Sequence, residues 1–260
     1  MRVAEAIAEA ERRLAAAGID APRVDAELLV AHLLGASRTA LYAEPEQEVD
    51  GLEPLLRRRE EREPLAYVLG EWGFRRLVLK TDARALVPRP ETEILVERAL
   101  AILHGLERPR VLDVGVGSGA IALAIADEHP GARITGVDVA ADALALAREN
   151  VRRLGLDVEL RQAGIAAAAE GWDLVVSNPP YVETLEGLQP ELRREQSEAL
   201  LGDGFHRDLA AAARTTWLAL EVGNGQAPAV ARDLAAAGYS EIRITLDLGG
   251  RERVVEGKQE

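Results

Sequence analysis

Apolar residues recur at helical spacing in the first part of the chain. In the first segment they lie three or four positions apart, at Val3, Ile7, Ala10 and Leu14. This spacing puts them on one face of a helix, and Gly18 follows at a position where a glycine commonly ends a helix. Because similar spacing returns between residues 25 and 34, we predict a small helical domain over residues 1–70.

After this helical region the pattern changes to short apolar runs separated by turn residues. Residues 77–79 and 85–87 are apolar and flank a turn-like stretch, so we predict a β-hairpin linker over residues 71–88. Pro90 is followed by acidic residues, a combination typical of the first turn of a helix. We therefore expect a helix to begin at this proline.

From residue 110 onward, apolar runs of strand length alternate with longer segments of helical spacing. The runs that predict strands span residues 110–114, 134–137, 158–160, 174–177, 217–222, 242–246 and 252–255. Helices are predicted from Ala120, over 141–154, and up to Ala237. Repeated strand–helix units favour a parallel sheet with helices on both faces, and the last two strands read as an antiparallel pair. The fold class predicted for residues 89–260 is therefore α/β, with a mostly parallel seven-stranded sheet.

The composition argues against several classes of protein. The formal net charge is −13 and the isoelectric point is about 4.9, whereas proteins that bind nucleic acid directly usually carry a basic surface. The chain has no cysteine and its four histidines lack the spacing of metal ligands, so we expect no metal. It also lacks an apolar leader and any apolar run of roughly 18 residues, the length of a membrane span. We expect a cytoplasmic, soluble monomer with no membrane and no direct nucleic-acid partner.

A glycine-rich loop directly follows the first predicted buried strand. The strand ends with Asp113 and Val114, and the loop that follows consists of Gly115, Val116, Gly117, Ser118 and Gly119. Glycines at this spacing let the backbone turn tightly and approach a ligand that side chains would block. Asp138 closes the next predicted strand, where a carboxylate can accept the hydroxyl protons of a ribose. The two features predict a nucleoside site, but the loop fits either a dinucleotide or S-adenosylmethionine.

A second motif, Asn178-Pro179-Pro180-Tyr181, follows the fourth predicted strand and so lies at the same edge of the sheet. The nitrogen of an amide or a conjugated amine is a poor nucleophile because its lone pair is delocalised. The Asn178 side-chain oxygen and the Pro179 carbonyl can each accept one of its N–H protons, and Tyr181 can stack on the planar group. Beside the glycine loop, this motif favours S-adenosylmethionine-dependent methylation of a planar nitrogen over a proline-rich turn of structural importance only.

With these motifs the chain resembles the release factor glutamine methyltransferases, the PrmC/HemK group. The resemblance covers nearly the whole chain and includes the stretches 64–70, 72–74, 86–93, 113–119, 178–181 and 220–223, together with Asp138 and Gln226. It implies a Rossmann-like class I methyltransferase domain that uses S-adenosylmethionine. It also implies an activity, methylation of the glutamine in the Gly-Gly-Gln motif of peptide chain release factors, in which the helical domain helps to hold the release factor.

The resemblance also assigns roles to particular residues. Those assigned to cofactor binding are Gly115, Val116, Gly117, Ser118, Gly119, Asp138, Gly164 and Asn178. The residues expected to hold the glutamine amide are Asn178, Pro179, Pro180 and Tyr181, of which Asn178, Pro179 and Tyr181 are the expected catalytic residues. Glu91 and Thr92 fit two interpretations equally, as part of the cofactor pocket or as caps of a helix.

The chain departs from the family pattern at three places. No carboxylate occupies the stretch around Ala163 and Gly164, where the family usually has an acid that binds the adenine amino group. The usual lysine–proline–glycine–glycine turn is missing before Trp217, and Glu195-Gln196 stands where an acid followed by proline is usual. These departures keep open a catalytically weakened relative that binds the cofactor without turnover.

Two further functions remain as alternatives. A DNA adenine N6-methyltransferase would need the same two acceptors and an aromatic residue, although the acidic charge argues against it. An NAD-dependent dehydrogenase fits the glycine loop but leaves the motif at Asn178 unexplained. Outside the motifs, we expect Arg57-Arg58-Arg59 to be a solvated helix face and His206 to lie at the surface.

Overall fold

The computed structural model describes residues 1–179, 190–195 and 204–259. By their mutual contacts these residues divide into two compact units. Of the described residues, the first unit comprises 1–71 and 190–194, and the second comprises 72–179, 195 and 204–259. In the described part of the chain, no helix has the length and apolar character needed to cross a membrane.

The first unit is helical, as predicted. Its α-helices are α1 (Val3–Ala16), α2 (Pro22–Leu34), α3 (Leu52–Glu60) and α4 (Leu65–Leu69). The four apolar residues that predicted α1 are all buried, together with Leu29 and Leu56 from the two following helices. Periodic apolar positions therefore form the core of this unit.

The expectation of a solvated face at Arg57–Arg59 is wrong for Arg59 and only partly correct for Arg58. Arg59 is 6% exposed, and its guanidinium donates hydrogen bonds to Asp25 Oδ2 at 2.7 Å and Glu191 Oε1 at 2.9 Å. Half-buried Arg58 donates to the Tyr67 carbonyl at 2.9 Å. Arg57 is exposed, so one turn of α3 presents arginines to three different environments.

The second unit contains a β-hairpin and the predicted sheet. The hairpin differs from the prediction, because residues 77–80 pair with residues 71–74 and the apolar run 85–87 forms no strand. Its strands are β1 (Glu71–Phe74), which begins at the last residue of the first unit, β2 (Leu77–Lys80), β3 (Arg110–Val114), β4 (Arg133–Asp138), β5 (Val158–Gln162), β6 (Trp172–Ser177), β7 (Thr215–Glu221), β8 (Ser240–Leu246) and β9 (Glu252–Lys258). Its helices are α5 (Thr92–Leu103), α6 (Ala120–Glu128), α7 (Ala141–Leu154), α8 (Phe205–Ala212) and α9 (Ala227–Ala236).

Strands β1 and β2 form a two-stranded sheet, and the other seven form one sheet in the order β5-β4-β3-β6-β7-β9-β8. The strands from β5 to β7 run parallel, whereas β9 is antiparallel to both β7 and β8. The prediction of a mostly parallel seven-stranded sheet is therefore confirmed. Because β3, β4 and β6 are neighbours, their carboxyl ends meet at one edge of the sheet.

Alternating residues of the central strands build two apolar cores. Val111 and Leu174 pack with residues of α5, α6 and α7, whereas the adjacent Leu112 and Val175 pack with residues of α8 and α9. Successive side chains of a strand point to opposite faces of the sheet. Because both odd and even positions of these strands are apolar, helices must cover both faces. This explains why continuous apolar runs, rather than alternating ones, marked these strands.

Candidate active site

The glycine loop links the end of β3 to the start of α6. Gly115, Gly117 and Gly119 all have positive φ, at 76°, 53° and 90°, a region that residues with a side chain seldom adopt. A Cβ at Gly119 would lie 2.9 Å from Leu123 Cδ1, so this glycine, the N-cap of α6, leaves room for a side chain of the first turn. A Cβ at Gly115 would meet no atom within 4 Å among the described residues, so that side of the loop is open to a ligand.

Asp138, at the end of β4, holds this loop from the neighbouring strand. Its Oδ2 accepts the Gly117 N–H at 3.0 Å and its Oδ1 accepts the Ala140 N–H at 2.9 Å. Each carboxylate oxygen has a second lone pair, so Asp138 can still accept hydroxyl protons from a ligand. A Cβ at Gly136 would lie 2.6 Å from Val116 Cγ2, so only glycine at that position lets the loop rest against β4.

Asp113 lies beneath the loop and is fully buried. Its Oδ2 accepts the Ala122 N–H at 3.1 Å, whereas its Oδ1 has no hydrogen-bond partner among the described residues. Burial raises the pKa of Asp113 to about 7, from an ordinary value of 3.8. The carboxyl group is therefore protonated in the folded protein below neutral pH and becomes a buried charge above it.

Replacing Asp113 with asparagine should change how stability depends on pH. The pKa of Asp113 is higher in the folded than in the unfolded state, so the contribution of Asp113 to stability falls as pH rises from about 4 to about 7. Between pH 5 and pH 8 the wild type should lose about 2.6 kcal/mol of stability relative to Asp113→Asn, because the amide stays neutral. Thermal unfolding of both proteins across this pH range measures the difference. Parallel pH profiles would show that folding does not raise the pKa of Asp113.

Asn178 and Pro179 follow β6 at the same edge of the sheet. The Ser177 hydroxyl donates to the Val114 carbonyl at 2.6 Å, which ties the ends of β6 and β3 together. Asn178 Nδ2 donates to the Thr92 hydroxyl at 3.1 Å, and within the described residues Asn178 Oδ1 accepts no hydrogen bond. Pro179 is buried, and Pro180 and Tyr181 lie outside the described residues. The structure thus brings Asn178 to the strand edge that carries the glycine loop.

The stretch without the family's acid lies beside Asp138. Gln162 pairs with Asp138 in the register of β4 and β5, and its Nε2 donates to the Val139 carbonyl at 3.0 Å. Gly164 follows, and a Cβ there would lie 3.5 Å from Val139 Cγ1. Val139 is 71% exposed, so an apolar residue lies open to solvent beside Asp138. In the sequence, the only sign of a role for Val139 was its position directly after Asp138.

Asn150 is a supporting residue that the sequence did not reveal. It is fully buried on α7, where its Oδ1 accepts the Lys80 N–H at 2.7 Å. Its Nδ2 donates to the carbonyls of Lys80 at 3.1 Å and Ser118 at 2.9 Å. Asn150 thereby links the hairpin to the glycine loop. An asparagine in line with the buried apolar residues of α7 was the available sign.

Two further side chains near the site are buried. Glu195 accepts the Val87 N–H at 3.2 Å and pairs with Arg89, and burial raises the pKa of its carboxyl group. Glu195, the acid at this departure from the family pattern, is therefore a buried structural partner.

The prediction that His206 lies at the surface is wrong, because His206 is 9% exposed and its Nε2 contacts the Glu221 carbonyl at 2.8 Å.

Comparisons with known proteins agree with this architecture. The family models described as "PrmC N-terminal domain" and "Methyltransferase small domain" match residues 5–70 and 91–204. A release factor glutamine methyltransferase of Deinococcus radiodurans is 40% identical, with 100% of this chain and 99% of that protein covered. One from Rhodospirillum rubrum is 42% identical, with 93% and 80% covered. A solved methyltransferase structure from Pyrococcus furiosus shares the fold, with a TM-score of 0.52 and 18% identity over 70% of this chain and 88% of that one.

The similarity to the relatives spans both units, including the helical region. Identities of 40% and 42% over at least four fifths of each chain confirm the resemblance seen in the motifs. The chain therefore belongs to the release factor glutamine methyltransferase family, and its cofactor is S-adenosylmethionine.

Proposed function

We propose that this protein transfers a methyl group from S-adenosylmethionine to the side-chain amide nitrogen of a glutamine in peptide chain release factors. The acceptor that we propose is the glutamine of the Gly-Gly-Gln motif. The observation that carries the proposal is the position of Asn178 and Pro179 at the strand edge beside the glycine loop, in a chain whose relatives bear this activity in their names.

The residues around the glycine loop fit S-adenosylmethionine. The open side of Gly115 leaves room for close backbone approach, and Asp138 retains lone pairs for the ribose hydroxyls. Exposed Val139 and the bare backbone at Gly164 form an apolar surface for the adenine ring. When bound, the cofactor supplies an electrophilic methyl group on a sulfonium. Val116, Ser118 and Gly119 stay in the proposed cofactor site, where they complete the loop.

Asn178 and Pro179 supply the acceptors for the amide. In this arrangement the Asn178 Oδ1 accepts one N–H of the glutamine side chain and the Pro179 carbonyl accepts the other. Two in-plane hydrogen bonds fix the amide, so that the face of its nitrogen points at the methyl group. They also stabilise the positive charge that develops on this nitrogen during transfer. The resemblance assigns Pro180 to orienting the backbone and Tyr181 to packing on the planar group. The proton leaves after the new C–N bond has formed.

We also propose a division of labour along the chain. Residues 1–70 form the domain that holds the release factor, residues 71–88 form the linker, and residues 89–260 carry methyl transfer. The ranges of the two matched family models, 5–70 and 91–204, support these limits. The compact helical unit has its own buried core, which suits it to act as a recognition module.

Replacing Asp138 with alanine should weaken cofactor binding about 30-fold, which corresponds to ~2 kcal/mol for lost charge-assisted hydrogen bonds. The change removes the acceptors for the ribose and also releases the Gly117 N–H. Titration calorimetry with S-adenosylhomocysteine measures the affinity. Asp142→Ala, at an exposed position on α7, is the matched control and should bind like the wild type. Equal affinities of both variants would remove Asp138 from the cofactor site.

A methyl-transfer assay tests the proposed function as a whole. Labelled S-adenosylmethionine is offered with a release factor, with its Gln→Ala variant in the Gly-Gly-Gln loop, and with unmethylated duplex DNA. Label on the intact release factor alone supports glutamine methylation. Label on the Gln→Ala variant or on DNA would contradict it, and cofactor binding without any transfer would indicate a relative that has lost turnover.

A further inference from the structure

The hydroxyl group of Thr92 bears directly on the amide of Asn178. Thr92 is the first residue of α5, is 4% exposed, and has its own N–H bonded to the Arg89 carbonyl at 3.1 Å. Its backbone and its burial therefore fix the position of its side chain. The Oγ1 lies 3.1 Å from Asn178 Nδ2 and accepts a hydrogen bond from it.

An asparagine side chain can present either its oxygen or its nitrogen in a given direction. Rotation by about 180° around the last torsion exchanges the two, and this torsion has broad, nearly equivalent minima. The exchange matters in this site because the substrate nitrogen that accepts the methyl group offers only N–H donors. The oxygen of Asn178 can bind it, whereas the NH₂ group of Asn178 would repel it.

We propose that Thr92 is a positioning residue that sets the orientation of the Asn178 amide. By accepting a hydrogen bond from Nδ2, the threonine hydroxyl leaves Oδ1 to face the methyl acceptor. This inference rests on the proposed function, in which Asn178 Oδ1 binds the substrate amide. Thr92 touches neither substrate nor cofactor in this role and acts through Asn178 alone. The helix-capping interpretation of Thr92 predicts no such link to turnover.

Two substitutions separate the hydroxyl group from the shape of the side chain. Thr92→Val keeps the branched shape and removes the hydroxyl, whereas Thr92→Ser keeps the hydroxyl and removes the methyl group. For Thr92→Val we expect kcat to fall about tenfold, the equivalent of one hydrogen bond. KM for the release factor and the affinity for S-adenosylhomocysteine should stay within about twofold of wild type, and Thr92→Ser should restore kcat. A role in packing alone would reverse the order of the two variants.

A second measurement does not depend on catalysis. The chain has three asparagines, Asn150, Asn178 and Asn224, so labelling with ¹⁵N-asparagine gives three side-chain amide signals in an NMR spectrum. Spectra of Asn178→Ala and Asn224→Ala assign these signals. In Thr92→Val the Asn178 signal should shift and its protons should exchange faster with water, whereas Thr92→Ser should leave both near the wild-type values. The signals of Asn150 and Asn224 serve as internal controls.

The two measurements distinguish the possible failures. An Asn178 signal that is unchanged in Thr92→Val, or a wild-type kcat in this variant, would overturn the inference. If the wild type transfers no label to any release factor, the proposed function fails, while the NMR signals still decide whether Thr92 orients Asn178. Should Thr92→Val fail to fold, Thr92→Ala replaces it in both experiments with the same expected results.

Discussion

Replacing Asn178 with alanine should lower kcat for glutamine methylation about a thousandfold while cofactor affinity changes little. Loss of one preorganised polar group at a transition state commonly reduces the rate by 10²–10³. In this site the same group also aligns the nitrogen, and misalignment adds to the loss. Because Pro179 supplies the other acceptor through its backbone, mutation cannot remove both. Steady-state kinetics with labelled cofactor and a release factor measures the effect.

The control for this variant is cofactor binding. S-adenosylhomocysteine should bind Asn178→Ala within about threefold of wild type, since Asp138 and the glycine loop are unchanged. Asn178→Asp keeps an acceptor oxygen but loses the Nδ2 donor that contacts Thr92, so its kcat should lie between those of wild type and the alanine variant. A wild-type kcat for Asn178→Ala would exclude the proposed role of Asn178 toward the amide, and a large loss of cofactor affinity would make cofactor binding, which the resemblance also assigns to Asn178, its main role.

Much of the fold could be predicted from local patterns. The strand predicted at 110–114 and the helix predicted at 141–154 coincide with β3 and α7, because buried apolar runs and amphipathic spacing are properties of the sequence itself. The helix expected to begin at Pro90 begins instead at Thr92, after a turn in which Glu93 N bonds to the Pro90 carbonyl at 3.1 Å. A proline marks where a helix can start more reliably than where it does.

The placement of the glycine loop, Asp138 and Asn178 at one edge of the sheet also follows from the sequence. Each stands immediately after a predicted strand, and parallel neighbours bring their carboxyl ends to one edge. The order of the strands in the sheet could not be read from the sequence. It decides that β6 lies next to β3, and so that Asn178 comes near the loop.

The buried polar partners could not be predicted. Asn150 contacts Ser118, and Glu195 contacts Arg89, across 32 and 106 positions of the sequence. Such pairs depend on which helices and loops the tertiary fold brings together, and periodicity carries no information about them. The same holds for Arg59, whose charged neighbours on both sides in the sequence suggested solvent exposure.

The buried charges around Arg59 lead to the largest expected effect on stability. The Arg59 side chain is 8% exposed and lies between the carboxylates of Asp25 and Glu191, which are 12% and 15% exposed. Burial raises the pKa of Asp25 even though Arg59 partly offsets it. For Glu191 burial also raises the pKa, but hydrogen bonds from Arg62 and Arg59 outweigh it, so the net pKa is lowered. Both carboxylates thus depend on arginine for their charged state.

Arg59→Ala should therefore destabilise the helical unit by about 3–5 kcal/mol, the usual cost of leaving a buried charge without its partner. Helix α1 contributes to the core of this unit, so hydrogen exchange of its amides measures the local free energy of opening.

Arg57→Ala is the matched control on α3, because the exposed pair of Arg57 with Glu53 should contribute less than about 1 kcal/mol. The double variant Asp25→Asn/Arg59→Met removes the charges of Arg59 and Asp25 while Glu191 keeps its pair with Arg62, and it should recover most of the loss. Equal effects of Arg57→Ala and Arg59→Ala would mean that the cluster is solvated, whereas no recovery in the double variant would mean that Arg59 acts through packing and its bond to the Glu63 carbonyl.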